Sequence, residues 1–202
     1  MQTFRTLVGA RLWAAVVAAG AAREYARGEV LLRQGDPGGY ALALVRGRVR
    51  VVLADGLLVS LRGAGDLVGE LATAGVGRTA SVVALDRCTA CCLSARALES
   101  VAGAALGEYL RLKLVEAVEQ MSLTRLGSLA RLARLLLAVI DLAEPDDRRV
   151  PLSQEALAQS LGLARSTVAE HISQLRRFGA LRGGPRLVVA DRDLLASHAG
   201  QR

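Results

Sequence analysis

Residues 151–177, PLSQEALAQSLGLARSTVAEHISQLRR, contain two short helical patterns separated by a tight turn at Gly162. Before the first pattern, Ser153 is a candidate N-cap residue, because its hydroxyl oxygen can accept a hydrogen bond from a main-chain N–H group of the first turn. The apolar stripe of this pattern is Ala156, Leu157 and Ser160/Leu161. We therefore expect a short helix that buries one side and ends at the glycine.

The second helical pattern has one apolar and one polar face. Its apolar residues recur at i, i+4 and i+7, which places them on one side of a helix: Val168, Ile172 and Leu175. At about 100° per residue, the opposite side carries Ser166, Glu170, Ser173 and Arg177. This pattern is typical of the recognition helix of a helix-turn-helix, although an ordinary pair of antiparallel helices would show the same apolar spacing.

Length and composition indicate a folded, basic protein. The 202 residues suffice for one large or two small domains, and 52% of them are hydrophobic, which excludes global disorder. The formal net charge is +7, and 25 of the 26 basic residues are arginine. A positive balance agrees with a polyanionic partner such as nucleic acid.

The three cysteines lie within five residues of one another, at Cys88, Cys91 and Cys92. An odd, clustered set cannot form a disulfide framework across the chain, which favours a reducing, cytoplasmic location. On a strand, Cys88 and Cys92 would face one way and Cys91 the other, so we expect core packing and no metal site.

The first residues resemble a signal peptide in part, since Arg5 and Arg11 precede the apolar run LWAAVVAAGAA. The run is short, and its tryptophan and alanines suit a helix over residues 4–22 instead. No apolar run reaches the ~20 residues needed to span a bilayer, so we expect no membrane association.

From Tyr25 onward the sequence shows short apolar runs punctuated by glycine. This texture predicts an antiparallel β-roll or barrel. The strand candidates are Val30–Arg33, Tyr40–Val45, Arg48–Leu53, Leu57–Leu61, Thr79–Leu85 and Cys88–Ser94. A helix capped by Ser94 is expected over Ala95–Val101.

A long helix is predicted next, from Leu106 to about Arg125. Its apolar stripe is Leu110, Leu114, Val118 and Met121, widened by Tyr109, Leu112 and Val115. An apolar helix of this length between two domains either crosses a core or pairs with a second copy of itself. Gly127–Ser128 indicates a hinge, with the serine as cap of a further helix over Leu129–Leu142.

After the helix-turn-helix, residues 181–189 (LRGGPRLVV) predict a tight β-hairpin, or wing. The wing carries Arg182 and Arg186. A last short helix follows, capped by Asp191 or Asp193.

In this order the elements resemble the cyclic-AMP receptor protein/FNR (Crp/Fnr) family of bacterial transcription regulators. The resemblance covers nearly the whole chain. The stretches that carry it are GEVLLRQGD (28–36), LVRGRVRV (44–51), GDLVGEL (65–71), RTASVVAL (78–85), RLARLLL (131–137) and LSQEALAQSLGLARSTVAEHISQLRRFG (152–179).

The resemblance implies an effector site in the roll, at Gly69, Glu70, Leu71, Arg78 and Thr79. In a member that binds a cyclic nucleotide, Glu70 would accept from the ribose hydroxyl and Arg78 would pair with the cyclic phosphate. Two features depart from that pattern. The segment between Glu70 and Arg78 is about two residues shorter, and Glu116 and Ala117 stand where a Thr–Ser pair contacts the adenine. The alternative is a Glu70–Arg78 ion pair that closes a structural loop in a member without nucleotide.

Other effectors of the family find no ligands here. The chain has no cysteine before position 88, which argues against an N-terminal iron–sulfur cluster. His171 and His198 both lie in the C-terminal half, so no histidine of the sensor domain could hold a haem. We expect His171 to be a partly exposed helix residue or a neighbour of a DNA phosphate.

For double-stranded DNA, the resemblance assigns contacts to Arg165, Ser166, Thr167, Glu170, Ser173, Arg177, Arg182 and Arg186. Arg165 matches an arginine that reads guanine O6 and N7. Ser166 stands where both well-known subfamilies have Glu, and Glu170 where both have Arg, so the half-site should differ from either consensus. Ala164 replaces the usual Ser or Thr cap.

The sequence therefore predicts an α+β protein with three parts. These are a β-roll sensor domain (1–105), a dimerisation helix and hinge (106–127) and a winged helix-turn-helix domain (128–202). We expect a homodimeric regulator that binds a palindromic operator, with RNA polymerase as a further partner. The alternative is a small-molecule sensor that acts on a protein partner. No nucleophile lies beside a plausible base, so an enzyme is not expected.

Overall fold

A computed structural model describes residues 2–122 and 125–200. The chain divides into two compact units, residues 1–54 with 59–119, and residues 55–58 with 120–202. Each unit is described by itself below. Residues 123 and 124, part of the predicted dimerisation helix and hinge, lie outside the described residues.

The first unit is built on two four-stranded antiparallel sheets, with strand orders β1-β8-β3-β6 and β2-β7-β4-β5. This arrangement confirms the predicted β-roll. The strands are β1 (Ala21–Tyr25), β2 (Val30–Leu32), β3 (Tyr40–Arg46), β4 (Val49–Val52), β5 (Leu58–Arg62), β6 (Leu67–Val68), β7 (Ser81–Ala84) and β8 (Cys88–Ser94). A short 3-10 helix occupies Glu70–Ala74.

The N-terminal helix is shorter than predicted. Helix α1 spans Phe4–Ala18 with a kink at Gly9, and β1 begins at Ala21. The alanines of this stretch favour a helix locally, but Ala21–Tyr25 pairs with Cys88–Cys92 of β8, and this non-local pairing prevails. Gly20 allows the close approach, since a Cβ atom there would lie 3.0 Å from the carbonyl oxygen of Cys92.

Two apolar clusters form the core of the roll. One lies between the two sheets and includes Cys88 and Cys92. The other lies between β1-β8-β3-β6 and the helices, and includes Cys91, Phe4 and Trp13. The predicted alternation of the cysteines is therefore confirmed. Burial raises the pKa of the Cys88 thiol to about 11, so this thiol is inert at neutral pH.

The two helices predicted over Ala95–Val101 and from Leu106 form a single helix, α2, over Ala95–Ser122. Its first turn is capped as predicted, because the Ser94 hydroxyl accepts from the N–H group of Ala97 at 3.2 Å. Gly103, which lies between the two predicted segments, does not interrupt it, since Leu98, Ala102 and Tyr109 are buried along one continuous face. None of the helices in the described ranges is both long and apolar enough to cross a membrane.

The second unit is helical and confirms the predicted helix-turn-helix. Its helices are α3 (Ser128–Asp141), α4 (Gln154–Leu161), α5 (Arg165–Arg177) and α6 (Arg192–His198). Ser153 and Asp191 cap α4 and α6 through their side-chain oxygens, as predicted. Ser128 is not the cap of α3, because Gly127 occupies the N-cap position and Ser128 is already helical.

The wing is a minimal hairpin. Leu181 and Val189 form one isolated antiparallel bridge, and the N–H group of Arg182 donates to the carbonyl oxygen of Val188 at 3.0 Å. Arg149, from the loop before α4, bridges to Val188 on the other side. These pairings fix the base of the wing, while its tip at Gly183–Arg186 is exposed.

Two glycines with similar backbone angles offer a test of packing in the roll. Gly47 and Gly28 have φ of +87° and +82°; a Cβ atom at Gly47 would lie 2.7 Å from the carbonyl oxygen of Arg87, whereas one at Gly28 meets nothing within 4 Å. We expect Gly28→Ala to lower the free energy of unfolding by about 1–2 kcal/mol through backbone strain alone. Gly47→Ala should cost at least ~1 kcal/mol more. Urea unfolding of both variants measures the difference, and equal losses would show that the turn at Gly47 relaxes.

Candidate nucleic-acid interface and effector cradle

The recognition helix is fixed by its apolar face. Val168, Ile172 and Leu175 are all buried, as their spacing predicts. With this face held in the core of the unit, the opposite side of α5 has to face solvent. The side chains on that side can therefore reach a ligand without any rearrangement of the helix.

The residues predicted to contact DNA are, with one exception, exposed on the second unit: Arg165, Ser166, Glu170, Ser173 and Arg177 on α5, and Arg182 and Arg186 on the wing. The exception, Thr167, is half-buried. The hydroxyl of Ser173 donates to the carbonyl oxygen of Ala169 at 3.0 Å. Only its oxygen lone pairs are then left for a further partner.

The start of α5 carries no side-chain cap, as Ala164 predicts. The N–H groups of its first turn are thus left for water or for an anion. Contacts from α3 hold the helix-turn-helix together instead. Arg131 donates to the carbonyl oxygen of Leu161 at the end of α4, and the Ser128 hydroxyl lies 2.7 Å from Nε2 of His171 on α5. His171 is half-buried by this contact.

A cleft of about 410 Å³ separates the wing from the helix-turn-helix. Ser153 at the start of α4, Arg165 at the start of α5 and Pro185 of the wing contribute to its walls. Arg176 also lines the cleft, and its Nη2 donates to the carbonyl oxygen of Gly184 at 2.6 Å. The contact ties the tip of the wing to the recognition helix.

In the roll, the predicted effector residue Arg78 is directed at main-chain atoms. It is 4% exposed. Its Nη1 donates to the carbonyl oxygen of Gly69 and its Nη2 to that of Tyr40, both at 2.8 Å, and the guanidinium lies 4.4 Å from the centre of the Tyr40 ring. Two main-chain carbonyl oxygens therefore accept from Arg78. The alternative without a nucleotide expected the carboxylate of Glu70 in this role.

Glu70 is buried on the side of the roll that faces α2. Its charge acts on two residues of that helix. The pKa of Tyr109 is raised, mainly by burial and further by the nearby carboxylates of Asp66 and Glu70. The pKa of Lys113 is lowered to about 8, mainly by burial and then by the charge of Arg62, against the opposing effect of Glu70 and other carboxylates.

Glu116, which replaces the expected adenine-contacting residue, also has a partner in the roll. Its Oε2 lies 3.1 Å from Nη1 of Arg62. The sequence did not single out Arg62, Asp66 or Lys113. The sequence shows only an arginine and an aspartate beside predicted strands. Charged residues at such positions usually lie in solvent-exposed loops, so nothing indicated that they would be buried.

Arg78 and Glu116, which the resemblance relates to nucleotide contacts, both have partners within the chain. Each terminal nitrogen of Arg78 donates to one carbonyl oxygen, which orients the guanidinium, and each carries a second N–H group that a phosphate could use. Glu116 is engaged by Arg62 rather than turned to a base. Leu71 and Thr79, the remaining predicted members, are exposed at the rim. Arg78 is therefore brought beside Gly69, while Leu71 and Thr79 lie at the exposed edge of the same site.

Two family models match the chain, one over the β-roll and one over the helix-turn-helix domain. Residues 22–104 match the family model of the cyclic nucleotide-binding domain, and residues 130–197 match that of the Crp-like helix-turn-helix domain. No curated protein gives a significant match.

Solved structures share the whole fold. A transcriptional regulator of the CRP family from Thermus thermophilus is 26% identical with a TM-score of 0.76, covering 88% of this chain and 96% of that one. FixK2 from Bradyrhizobium japonicum is 24% identical with a TM-score of 0.73, over 88% and 96% of the two chains. The c-di-GMP responsive regulator CLP from Xanthomonas campestris is 22% identical with a TM-score of 0.71, over 91% and 100%. The chain belongs to the Crp/Fnr family of DNA-binding transcription regulators.

Proposed function

We propose that the chain is a homodimeric regulator that binds a palindromic operator in double-stranded DNA and does so without a cyclic nucleotide. The observation that carries the DNA-binding part is α5, which buries Val168, Ile172 and Leu175 and leaves a continuous polar face in solvent. Such a helix fits the major groove of B-DNA. A search with the purified protein for sequence-selective, salt-sensitive binding tests it directly.

The side chains predicted to contact DNA, all exposed except the half-buried Thr167, divide into two classes. Arg165 at the start of α5 has the geometry for a bidentate contact to guanine, and Ser166, Thr167, Ser173 and Arg177 follow along the groove. Glu170 either accepts from cytosine N4 or repels phosphate and so enforces register. Arg182 and Arg186 on the wing are suited to phosphates, which position the protein but carry no sequence information.

The exposed apolar stripe of α2 supports the homodimer. Leu114, Val118 and Met121 are 65%, 60% and 72% exposed, whereas Leu98, Ala102 and Tyr109, on the first half of the same helix, are buried in the roll. A contiguous apolar stripe on a helix calls for a partner, and a second copy brings an identical stripe. Two-fold symmetry would then place two recognition helices one turn of DNA apart.

We assign sensing to residues 1–105, dimerisation to 106–127 and DNA binding to 128–202. Because α2 is continuous from Ala95 to Ser122, the first of these boundaries lies inside a helix. A regulator of this kind acts on the chromosome, so we propose a cytoplasmic location and RNA polymerase as its further partner.

Nucleotide-independent binding is supported by the cradle. Arg78 is held by two carbonyl oxygens, and Glu116 is held by Arg62. A base that uses Glu116 would have to displace the contact with Arg62, and a ligand can shift the protein only by the difference in its affinity for two states. Since Glu116 is engaged by Arg62, a base would gain little from it, and a nucleotide would have only a weak influence on α2.

The first prediction separates base contacts from phosphate contacts. Arg165→Ala should weaken binding to the cognate site by about 1–3 kcal/mol and relax the preference at one base pair. Arg182→Ala and Arg186→Ala should weaken all sequences alike and reduce the slope of affinity against salt by about one. Fluorescence anisotropy over a salt series measures both quantities, with the exposed Arg11→Ala of α1 as control. An equal loss of selectivity in all three variants would contradict this division.

The second prediction concerns the dimer. Val118→Arg should bury a charge at the centre of the α2 stripe and yield monomer in sedimentation equilibrium. Val45→Arg, at another exposed valine on β3, is the matched control and should leave the dimer intact. If Val118→Arg remains dimeric, the interface lies elsewhere.

The third prediction concerns the effector. Titration calorimetry with cyclic AMP and cyclic GMP should give dissociation constants no tighter than about 1 mM, and neither nucleotide should change DNA affinity. Arg78→Ala should keep DNA binding but lower the free energy of unfolding by about 2–4 kcal/mol, because two part-buried carbonyl oxygens lose a charged donor. A micromolar constant that also raises DNA affinity at least tenfold, about 1.4 kcal/mol of coupling, would overturn the proposal.

A further inference from the structure

Six polar side chains are collected where α2 lies against the roll. We name them the roll–helix cluster: Arg62, Asp66 and Glu70 from the roll, and Tyr109, Lys113 and Glu116 from α2. All belong to the first unit. None of them is part of the DNA-facing surface, and only Glu70 was assigned to the effector site.

The Arg62–Glu116 pair is a direct ionic contact that bridges the two elements. The Arg62 side chain is 8% exposed and that of Glu116 is 29% exposed. Nη1 of Arg62 also donates to the carbonyl oxygen of Leu61 at 3.0 Å, which fixes the guanidinium on β5. A guanidinium buried to this degree is unfavourable unless an anion pairs with it. Removal of Glu116 should therefore destabilise both β5 and α2.

The remaining members hold the next turns of the helix. The Tyr109 hydroxyl donates to Oδ1 of Asp66 at 3.1 Å and accepts from the N–H group of Leu67 at 3.1 Å. Nζ of Lys113 lies 4.6 Å from the centre of the Tyr109 ring. Burial lowers the pKa of Lys113 to about 8. In such an environment, the interaction of the Lys113 amine with each neighbouring carboxylate depends strongly on where that carboxylate lies.

The spacing of the cluster on α2 determines which way the apolar stripe points. Tyr109, Lys113 and Glu116 stand at i, i+4 and i+7 and so share one face of the helix. Counted at about 100° per residue, Leu114, Val118 and Met121 fall on the opposite face. A helix anchored by the first face must therefore turn the second face away from the roll.

We propose that Arg62 and Glu116 are positioning residues that fix the rotation of α2 on the roll, so that the chain presents its dimerisation stripe without any ligand. This inference rests on the proposed function for the use of the stripe. It adds how α2 can be positioned without a nucleotide: Glu116, which stands where the resemblance places a contact to the base, pairs with Arg62.

The test is a charge reversal with rescue. Arg62→Glu and Glu116→Arg each place two like charges together, and the double variant restores an opposite pair with the order exchanged. We expect each single variant to increase amide hydrogen exchange of α2 and the dimer dissociation constant at least tenfold. The double variant should bring both to within about threefold of the unaltered chain. Glu116→Gln keeps the side-chain volume, and it should shift both quantities in the same direction by at least ~3-fold even if a reversal fails to fold.

The exposed Glu108–Arg111 pair on the same helix provides the matched control. Its Nη2–Oε1 distance is 2.6 Å, with side chains 45% and 62% exposed. Its reversal, Glu108→Arg with Arg111→Glu, should change neither quantity by more than about twofold, since exposed pairs contribute little.

The proposal is overturned if Glu116→Gln and the single reversals leave exchange and self-association unchanged, or if the double variant is as impaired as the two singles combined. Failure of the proposed function is seen separately. If the unaltered chain shows no sequence-selective DNA binding, the regulator proposal fails, while exchange of α2 and sedimentation still decide the role of the pair.

Discussion

Charges that are buried between the roll and α2 have to be matched, and this requirement governs how the helix lies on the sheet. Arg62 cannot stay buried on β5 without an anion, and Glu116 supplies one from the helix. The Asp66 carboxylate instead accepts hydrogen bonds from the Tyr109 hydroxyl and from the N–H group of Gly63. Apolar packing would tolerate several rotations of a helix rich in leucine and alanine. Paired charges allow far fewer rotations. The polar contacts therefore select one rotation of the helix, and the apolar packing stabilises it.

The two candidate sites of the molecule are opposite in character. On α5 and the wing, the arginines proposed to contact DNA are exposed and so are available to a polyanion. In the roll, Arg78 is enclosed by the carbonyl oxygens of Gly69 and Tyr40 and by the Tyr40 ring. The same residue type thus serves recognition in one unit and architecture in the other. The difference lies in burial and in which acceptors the fold brings within reach.

Local signals were sufficient where the structure depends on neighbours in sequence. The caps at Ser153 and Asp191 and the buried face of α5 were all predicted, because each depends on residues within two turns. Strand β1 was missed because its alanines are helix-forming and only the distant β8 makes them extended. The Arg62–Glu116 pair was missed for the same reason. Charged side chains on a strand and a helix indicate solvent exposure until the fold brings them together.

Lys113 is the single lysine of the chain, and it lies half-buried against Tyr109. Every basic side chain proposed to face DNA is therefore a guanidinium, which stays charged at any physiological pH and offers no amine for acylation. Neutralisation by lysine acetylation, a common way of weakening DNA-binding surfaces, has no target on this one. An amine-directed reagent would instead report, apart from the chain terminus, on the contact between α2 and the roll.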